Sequence, residues 1–498
     1  MTMTSSNRGL PADATLIVFV LGLAGCTTLT PQAQTAALIA RAEMAMGSAT
    51  LKTLTITGRG TGASVGQAHA PGMPWPGLQL TALSRSLNFE TASFREEFIS
   101  IRSEPLGGGA VPLMGAGEAR GVVLASDAYA WDVAGVATVA APAALAMRAH
   151  DLWTTTPQGA VKAAAKMGAR AGVRRDFLRR WDTLSFGFPG QFSATLVFED
   201  TGLISRIEST VAHAVLGDMP VVTQFTDYRP QAGLLLPARI VQEQGGFAAL
   251  NLQLTAVAAN EPVEITVPDN VRSAVPTVSV EKVADGVWFF AGGTHNSVAI
   301  EMATQIVLVE VPLDEGRARA VLDAANQLVP GKKALTVINT HHHFDHAGGL
   351  RHAAASGATI YTSALAKRYF EAAFAQPQTR AADAGPSSVR KPLFVAIDGK
   401  AVLNEAGRVI EIHELKDSIH ARGLLVVWLP SEQLLIEADA YTPGAPDEPP
   451  PALPNVNHVN LVQNLDRLGL VPKRILPLQG RIVPAADLYT QVGRKPPP

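Results

Sequence analysis

A chain of 498 residues is too long for one ordinary hydrophobic core, so two domains are expected. Hydrophobic residues make up 47% of it, which excludes bulk disorder. A charged fraction of 17% and a formal net charge of -2 supply no basic stripe of the kind phosphate backbones require, which counts against nucleic acid as a partner.

The first informative element is the apolar run Ala14–Gly25, ATLIVFVLGLAG, preceded by Arg8. It has the length of a signal-peptide core and is too short for a spanning helix. Cys26, the only cysteine, closes the run as Leu23-Ala24-Gly25-Cys26, which resembles a bacterial lipobox. The expectation is an exported protein, in the periplasm or as an outer-membrane lipoprotein, with residues 1–26 as the signal. Its only membrane contact would be a lipid at Cys26. Without a second cysteine the mature chain has no intrachain disulfide. No later stretch is long and apolar enough to cross a membrane.

Pro31 to Gly47 has helical composition. A β-rich region follows, with strands over 51–56, 78–89 and 96–102, and an alanine-rich helical stretch from Ala140 to Gly172. The clearest hairpin joins Ser193–Phe198 to Ile204–Val211 through Glu199-Asp200-Thr201-Gly202, a turn-forming cluster. Further antiparallel strands are expected over 221–228, 234–244 and 248–257. Thr226 to Gln244 looks like the closing strands of lipoprotein-carrier half-barrels. That resemblance covers residues 37–271 and would imply an apolar-ligand groove, against which stands a plain scaffold or dimerisation role.

Pro262, Pro268 and Pro276 punctuate a linker over residues 260–277. Beyond it, over 278–498, the pattern changes to strands alternating with helices, as in α/β layers. Short strands are expected at 278–283, 287–290, 297–302 and 305–309. An amphipathic helix follows over 315–328, then the apolar strand 334–338. Residues 375–392 are polar and turn-like, a candidate mobile loop. The fold class is α+β overall.

Strand 334–338 runs into Asn339-Thr340-His341-His342-His343-Phe344-Asp345-His346-Ala347-Gly348-Gly349, where four of the chain's 12 histidines fall together. Neutral imidazoles are good zinc ligands, and a carboxylate among them can hold a second ion. Alternate residues of an extended segment point the same way, so His341 and His343 can converge on one metal. Gly348 and Gly349 would let the backbone approach the site closely.

This run resembles the His-x-His-x-Asp-His signature of the metallo-β-lactamase superfamily, over Val278 to Val492. The resemblance implies an αβ/βα sandwich with one or two Zn²⁺ ions between the sheets. It supplies His420, just before a strand, and Asp439, at a strand end, as further ligands. One ion would then lie on His341, His343 and His420, and a second on Asp345, His346 and Asp439. His295, in the early loop GGTHNS, is expected beside the cleft as a substrate-side residue.

One departure stands out. Where the family ends its site with a histidine, this chain has Pro477-Leu478-Gln479-Gly480. A carboxamide oxygen is a weaker donor than imidazole. Either the second ion binds weakly, or water or Gln479 fills the gap, or one metal suffices. His458 reads as a helix start rather than a ligand. His342, Phe344, His352 and His413 read as packing or supporting residues.

The implied chemistry is metal-assisted hydrolysis of an ester, lactone, thioester or amide of small-molecule size. Zinc lowers the pKa of bound water to about 7, and Asp345 would orient the nucleophile and accept its proton. Iron or manganese also suits this donor set, with zinc the default. A β-lactamase is one alternative. Another is a metal-stabilised scaffold whose N-terminal domain binds lipid or peptide.

Overall fold

The computed structural model describes residues 30–103, 107–109, 117–380, 391–446, 449–451 and 453–497. The apolar run and Cys26 lie outside the described residues, as does most of the expected loop 375–392. Among the described residues no helix is long and apolar enough to cross a membrane.

The first helix, Pro31–Met46, starts where the Thr30 hydroxyl accepts from the Ala33 amide (3.2 Å) and proline takes the first turn. It stops at Gly47, which adopts φ +68°. Its buried face, Leu38, Ala42 and Met46, packs on a large antiparallel sheet. Helices Leu145–Thr154 and Pro157–Lys166 join it there through Leu152, Trp153, Ala160, Val161 and Ala164.

That sheet has thirteen strands among the described residues. Its first strand, Thr53–Ala63, pairs with its last, Phe247–Ala259, in the interior. The edges are Ala137–Ala140 and Arg170–Arg175. The expected hairpin is present as Phe192–Phe198 against Ile204–His213. The linker carries a short helix, Asp269–Arg272, whose Val271 is buried against Leu124 and Trp131 of the large sheet.

Beyond the linker, two further sheets lie face to face. The first runs in chain order through seven strands, from Ser279–Ala284 to Leu393–Ile397, antiparallel at first and parallel from Ile306–Val309 onward. The second has six, from Lys400–Glu405 to Val483–Pro484. Strand alternation explains the layers. Val287, Phe289, Val298, Ile300, Val307 and Val309 point inward to meet Ile410, Ile412, Val427 and Ile436 of the opposite sheet. Phe290, Ala299, Ile306 and Leu308 point outward, under helices Glu315–Leu328, Leu350–Ala355 and Ala364–Phe374. On the far side Val426, Trp428 and Leu435 are covered by Val456–Leu468 and Ala485–Gln491. The arrangement is an αβ/βα sandwich.

The large sheet also reaches into the sandwich. Val215 is buried in the helix-covered core. The Asp218 carboxylate accepts from the Thr379 hydroxyl (2.6 Å) and the Arg380 amide (3.0 Å).

Candidate metal centre

The expected site residues lie in segments that connect strands at one end of the two facing sheets. His341 and His343 leave strand Ala334–Ile338 in extended conformation. Asp345 and His346 lie on a single helical turn, Phe344–Ala347. His420 precedes strand Leu425–Leu429, and Asp439 follows Leu434–Glu437 with φ +61°, a left-handed conformation that aspartate tolerates better than most residues. The paired glycines serve a different approach from the one expected. A Cβ at Gly348 would lie 1.8 Å from the Leu313 carbonyl oxygen, and one at Gly349 would lie 2.3 Å from that of Val311. They let the histidine-bearing turn press on the loop after strand Ile306–Val309.

Donor atoms of His341, His343, His420 and Asp439 lie within 4.8 Å of one another. His341 Nε2, His343 Nδ1 and His420 Nε2 are all buried and lack hydrogen-bond partners. Three orphaned nitrogens facing one point would be costly unless something accepts their lone pairs. Their opposite ring atoms explain the orientation of the first two. His341 Nδ1 lies 2.9 Å from Thr340 Oγ1, and His343 Nε2 donates to the Ala68 carbonyl at 2.9 Å. Fixing the proton on one nitrogen leaves the other free as a donor to metal. Asp439 Oδ2 sits 2.8 Å from His420 Nε2, 3.0 Å from His346 Nε2 and 3.3 Å from His341 Nε2, within reach of all three imidazoles.

Glu310 was not apparent in the sequence. It is fully buried at the end of strand Ile306–Val309, with φ +63°. Its carboxylate accepts from His346 Nδ1 (2.7 Å) and from the Thr340 hydroxyl that supports His341. The one available signal was a charged residue directly following the apolar run Ile306–Val309. The contribution of residues 64–76 was equally hidden, because it comes from far away in the chain. Gln67 Nε2 donates to Asp345 Oδ1 (2.9 Å), the Ala68 carbonyl also accepts from His342 Nε2 (2.8 Å), and His69 Nε2 donates to the Ser418 carbonyl (2.9 Å). Phe344 faces the same way, its ring packing on Trp75 and His213.

His342 is therefore a supporting residue. His352 and His413 lie against Glu315 and Glu411, outside the donor groups. His458 is buried against Tyr441 and lines the neighbouring cavity but joins no donor group. His295 is closer to the centre than expected, since its Nε2 groups with donor atoms of Asp345 and His346.

Burial sets the electrostatics. It pushes His341 down to about 4 and His342 to about 3, with neighbouring imidazoles adding to the effect, and it holds His343 well below the usual range. These rings are neutral, as ligation requires. His346 differs: burial would lower it, but Asp439, Glu310 and Asp345 together hold it well above the usual value. Three carboxylates around one imidazole call for a cation, and either a proton or a metal ion meets that demand.

The same shifts predict acid sensitivity of the metal-free chain. His213 and His458, also pushed down to about 4 by burial, join His341, His342 and His343 as rings that stay neutral when folded. They titrate near 6.5 once unfolded. The unfolded chain then binds more protons, so stability falls as pH drops from about 6.5 toward 4. His346 and the buried Glu437, both held well above their usual values, work oppositely, but they are two groups against five. Each net proton amounts to about 1.4 kcal/mol per pH unit. A melting temperature in chelator should be clearly lower at pH 5 than at pH 7, and an equal or higher value at pH 5 would refute this balance.

Residues 291–480 match the family model of the metallo-beta-lactamase superfamily. Over 73 residues the chain is 34% identical to the 2,4-dinitroanisole O-demethylase subunit alpha of Nocardioides sp. (strain JS1661), a match spanning 15% of this chain and 22% of that protein. Among solved structures, a metallo-beta-lactamase from Pontibacter korlensis aligns at 16% identity with a TM-score of 0.35, covering 44% of this chain and 98% of its own. Rubredoxin oxygen:oxidoreductase from the anaerobe Desulfovibrio gigas aligns at 16% identity and a TM-score of 0.34, covering 43% of this chain and 61% of its own.

Proposed function

We propose that this chain is an exported zinc-dependent hydrolase that cleaves a carboxylic ester, lactone, thioester or amide of small-molecule size. The observation carrying this reading is the convergence of three buried imidazole nitrogens with no neighbour but the Asp439 carboxylate to engage them. Zinc held by His341, His343 and His420 would supply Lewis acidity and a water acidic enough to ionise near neutral pH.

The chain's own residues shape the rest. Asp345 is held ionised: burial opposes this, but His346 and a hydrogen bond from His295 prevail. With Oδ1 held by Gln67 and Oδ2 turned toward His295, the carboxylate is fixed in a geometry that can orient an attacking water. A cavity of about 450 Å³ opens beside it, lined by Ser64, Gln67, Thr442, Asn455, Asn457 and His458. Hydroxyl and amide groups of this kind suit a neutral, hydrogen-bonding acyl group. Residues 64–76 thus wall the substrate side, which supports a catalytic role for the N-terminal half rather than a separate lipid-binding one. Export to the periplasm, with lipidation at Cys26, is proposed on the N-terminal sequence.

A panel of aryl esters, aliphatic lactones, acyl thioesters and a chromogenic β-lactam, each with and without chelator, tests the reading. Chelator-sensitive turnover of an ester or lactone is expected. Turnover of the β-lactam alone would make the chain a β-lactamase. No chelator-sensitive turnover on any class would favour a metal-stabilised scaffold.

A further inference from the structure

Gln479 sits where the superfamily resemblance calls for a histidine, and the structure shows what stands beside it. Its Nε2 lies 2.8 Å from His295 Nε2 and 3.3 Å from His346 Nε2. His295 Nδ1 is engaged by the Thr294 hydroxyl at 2.8 Å, which turns Nε2 inward, as Glu310 does for His346. His295 Nε2 and Asp345 Oδ2 are 3.3 Å apart, and donor atoms of His295, Asp345 and His346 fall within 4.8 Å of one another.

The placement is rigid. Asn296 ties the His295 loop to the Gln479 turn, its amide donating to the Leu478 carbonyl (2.7 Å) and its side chain to those of Pro477 (3.1 Å) and Gly480 (2.8 Å). From the other side Arg317 donates to the His295 carbonyl (3.2 Å). Both imidazoles are buried, His295 at 6% exposure and His346 at 0%. Glu310, Asp345 and Asp439 bring three carboxylates to this pocket, more negative charge than one divalent ion offsets.

Resting on the metallo-hydrolase reading above, we infer that His295, His346 and Asp345 hold a second divalent ion, His295 supplying the imidazole that Gln479 lacks. Two imidazole nitrogens and a carboxylate oxygen form a strong donor set for zinc, iron or manganese. Gln479 is then a hydrogen-bonding neighbour of the ligands, and the site is rebuilt from the opposite loop.

Zinc titration of the full chain against a chromophoric chelator, with cobalt absorption as a second readout, tests this. Wild type should take two ions. His295→Ala and the size-conserving His295→Gln should keep the first and bind the second at least about 10–100-fold more weakly. Gln479→Ala should keep both within a few-fold. Unchanged affinity for both ions in folded His295 variants would overturn the assignment. So would a second ion lost as fully in Gln479→Ala, or a wild type that takes one ion only. A wild type that takes none would instead fail the underlying reading.

Discussion

Replacing His343 by alanine is expected to remove most of the zinc and to lower hydrolysis by roughly 10²–10³-fold or more, the range seen when one preorganised electrostatic contact is lost. The proposed first metal position rests on three imidazoles, and His343 Nδ1 is buried without a hydrogen-bond partner, while the facing nitrogens of His341 and His420 meet only Asp439. Without His343, two imidazoles and an Asp439 oxygen that also lies beside His346 remain, one donor fewer than the intact position offers, so chelator should strip the zinc more readily. The ring also holds the Ala68 carbonyl, so some loosening of residues 64–76 should follow. Metal content after dialysis, read beside circular dichroism, checks the expectation. A folded variant with wild-type zinc would remove His343 from the centre.

Glu310→Gln is expected to be nearly as damaging, although Glu310 belongs to neither of the two metal positions proposed above. The carboxylate fixes His346 through Nδ1 and His341 through Thr340, so it sets the ring orientation of one ligand in each metal position. Glutamine keeps the shape but loses the charge, and its amide presents a donor where acceptors are needed. Losing such a support typically weakens metal binding by 10–100-fold, and both ions should respond here. Left-handed backbone at Glu310 and its complete burial mark a position held by its surroundings rather than by local preference. Competition titration reads the loss directly, and equal affinities in wild type and variant would show that the network is incidental.

What the sequence made legible follows from how local each signal is. Helix Glu315–Leu328 and strand Ala334–Ile338 appear at their expected bounds because amphipathic spacing and an apolar run are written in adjacent residues. The histidine cluster was legible for the same reason. His420 and Asp439 were reached through resemblance, and their grouping with His341 and His343 agrees with it. Glu310 escaped because only the folded sheet brings it beneath His341 and His346. Gln67 and Ala68 escaped because nothing near them in the chain refers to a site so distant in sequence. His295 was placed beside the cleft, yet its pairing with Gln479 depends on the Asn296 clamp between two remote loops. In the N-terminal half, alternation gave the strands but could not give their order within a thirteen-stranded sheet.

The most direct test is the metal content of the purified protein, measured with ester and lactone turnover before chelation, after it, and after zinc is restored. At least one tightly held zinc is expected, a second on saturation, and turnover that disappears with chelator and returns with zinc. A folded chain that takes up no divalent ion, or whose hydrolysis is indifferent to chelator, would contradict this expectation.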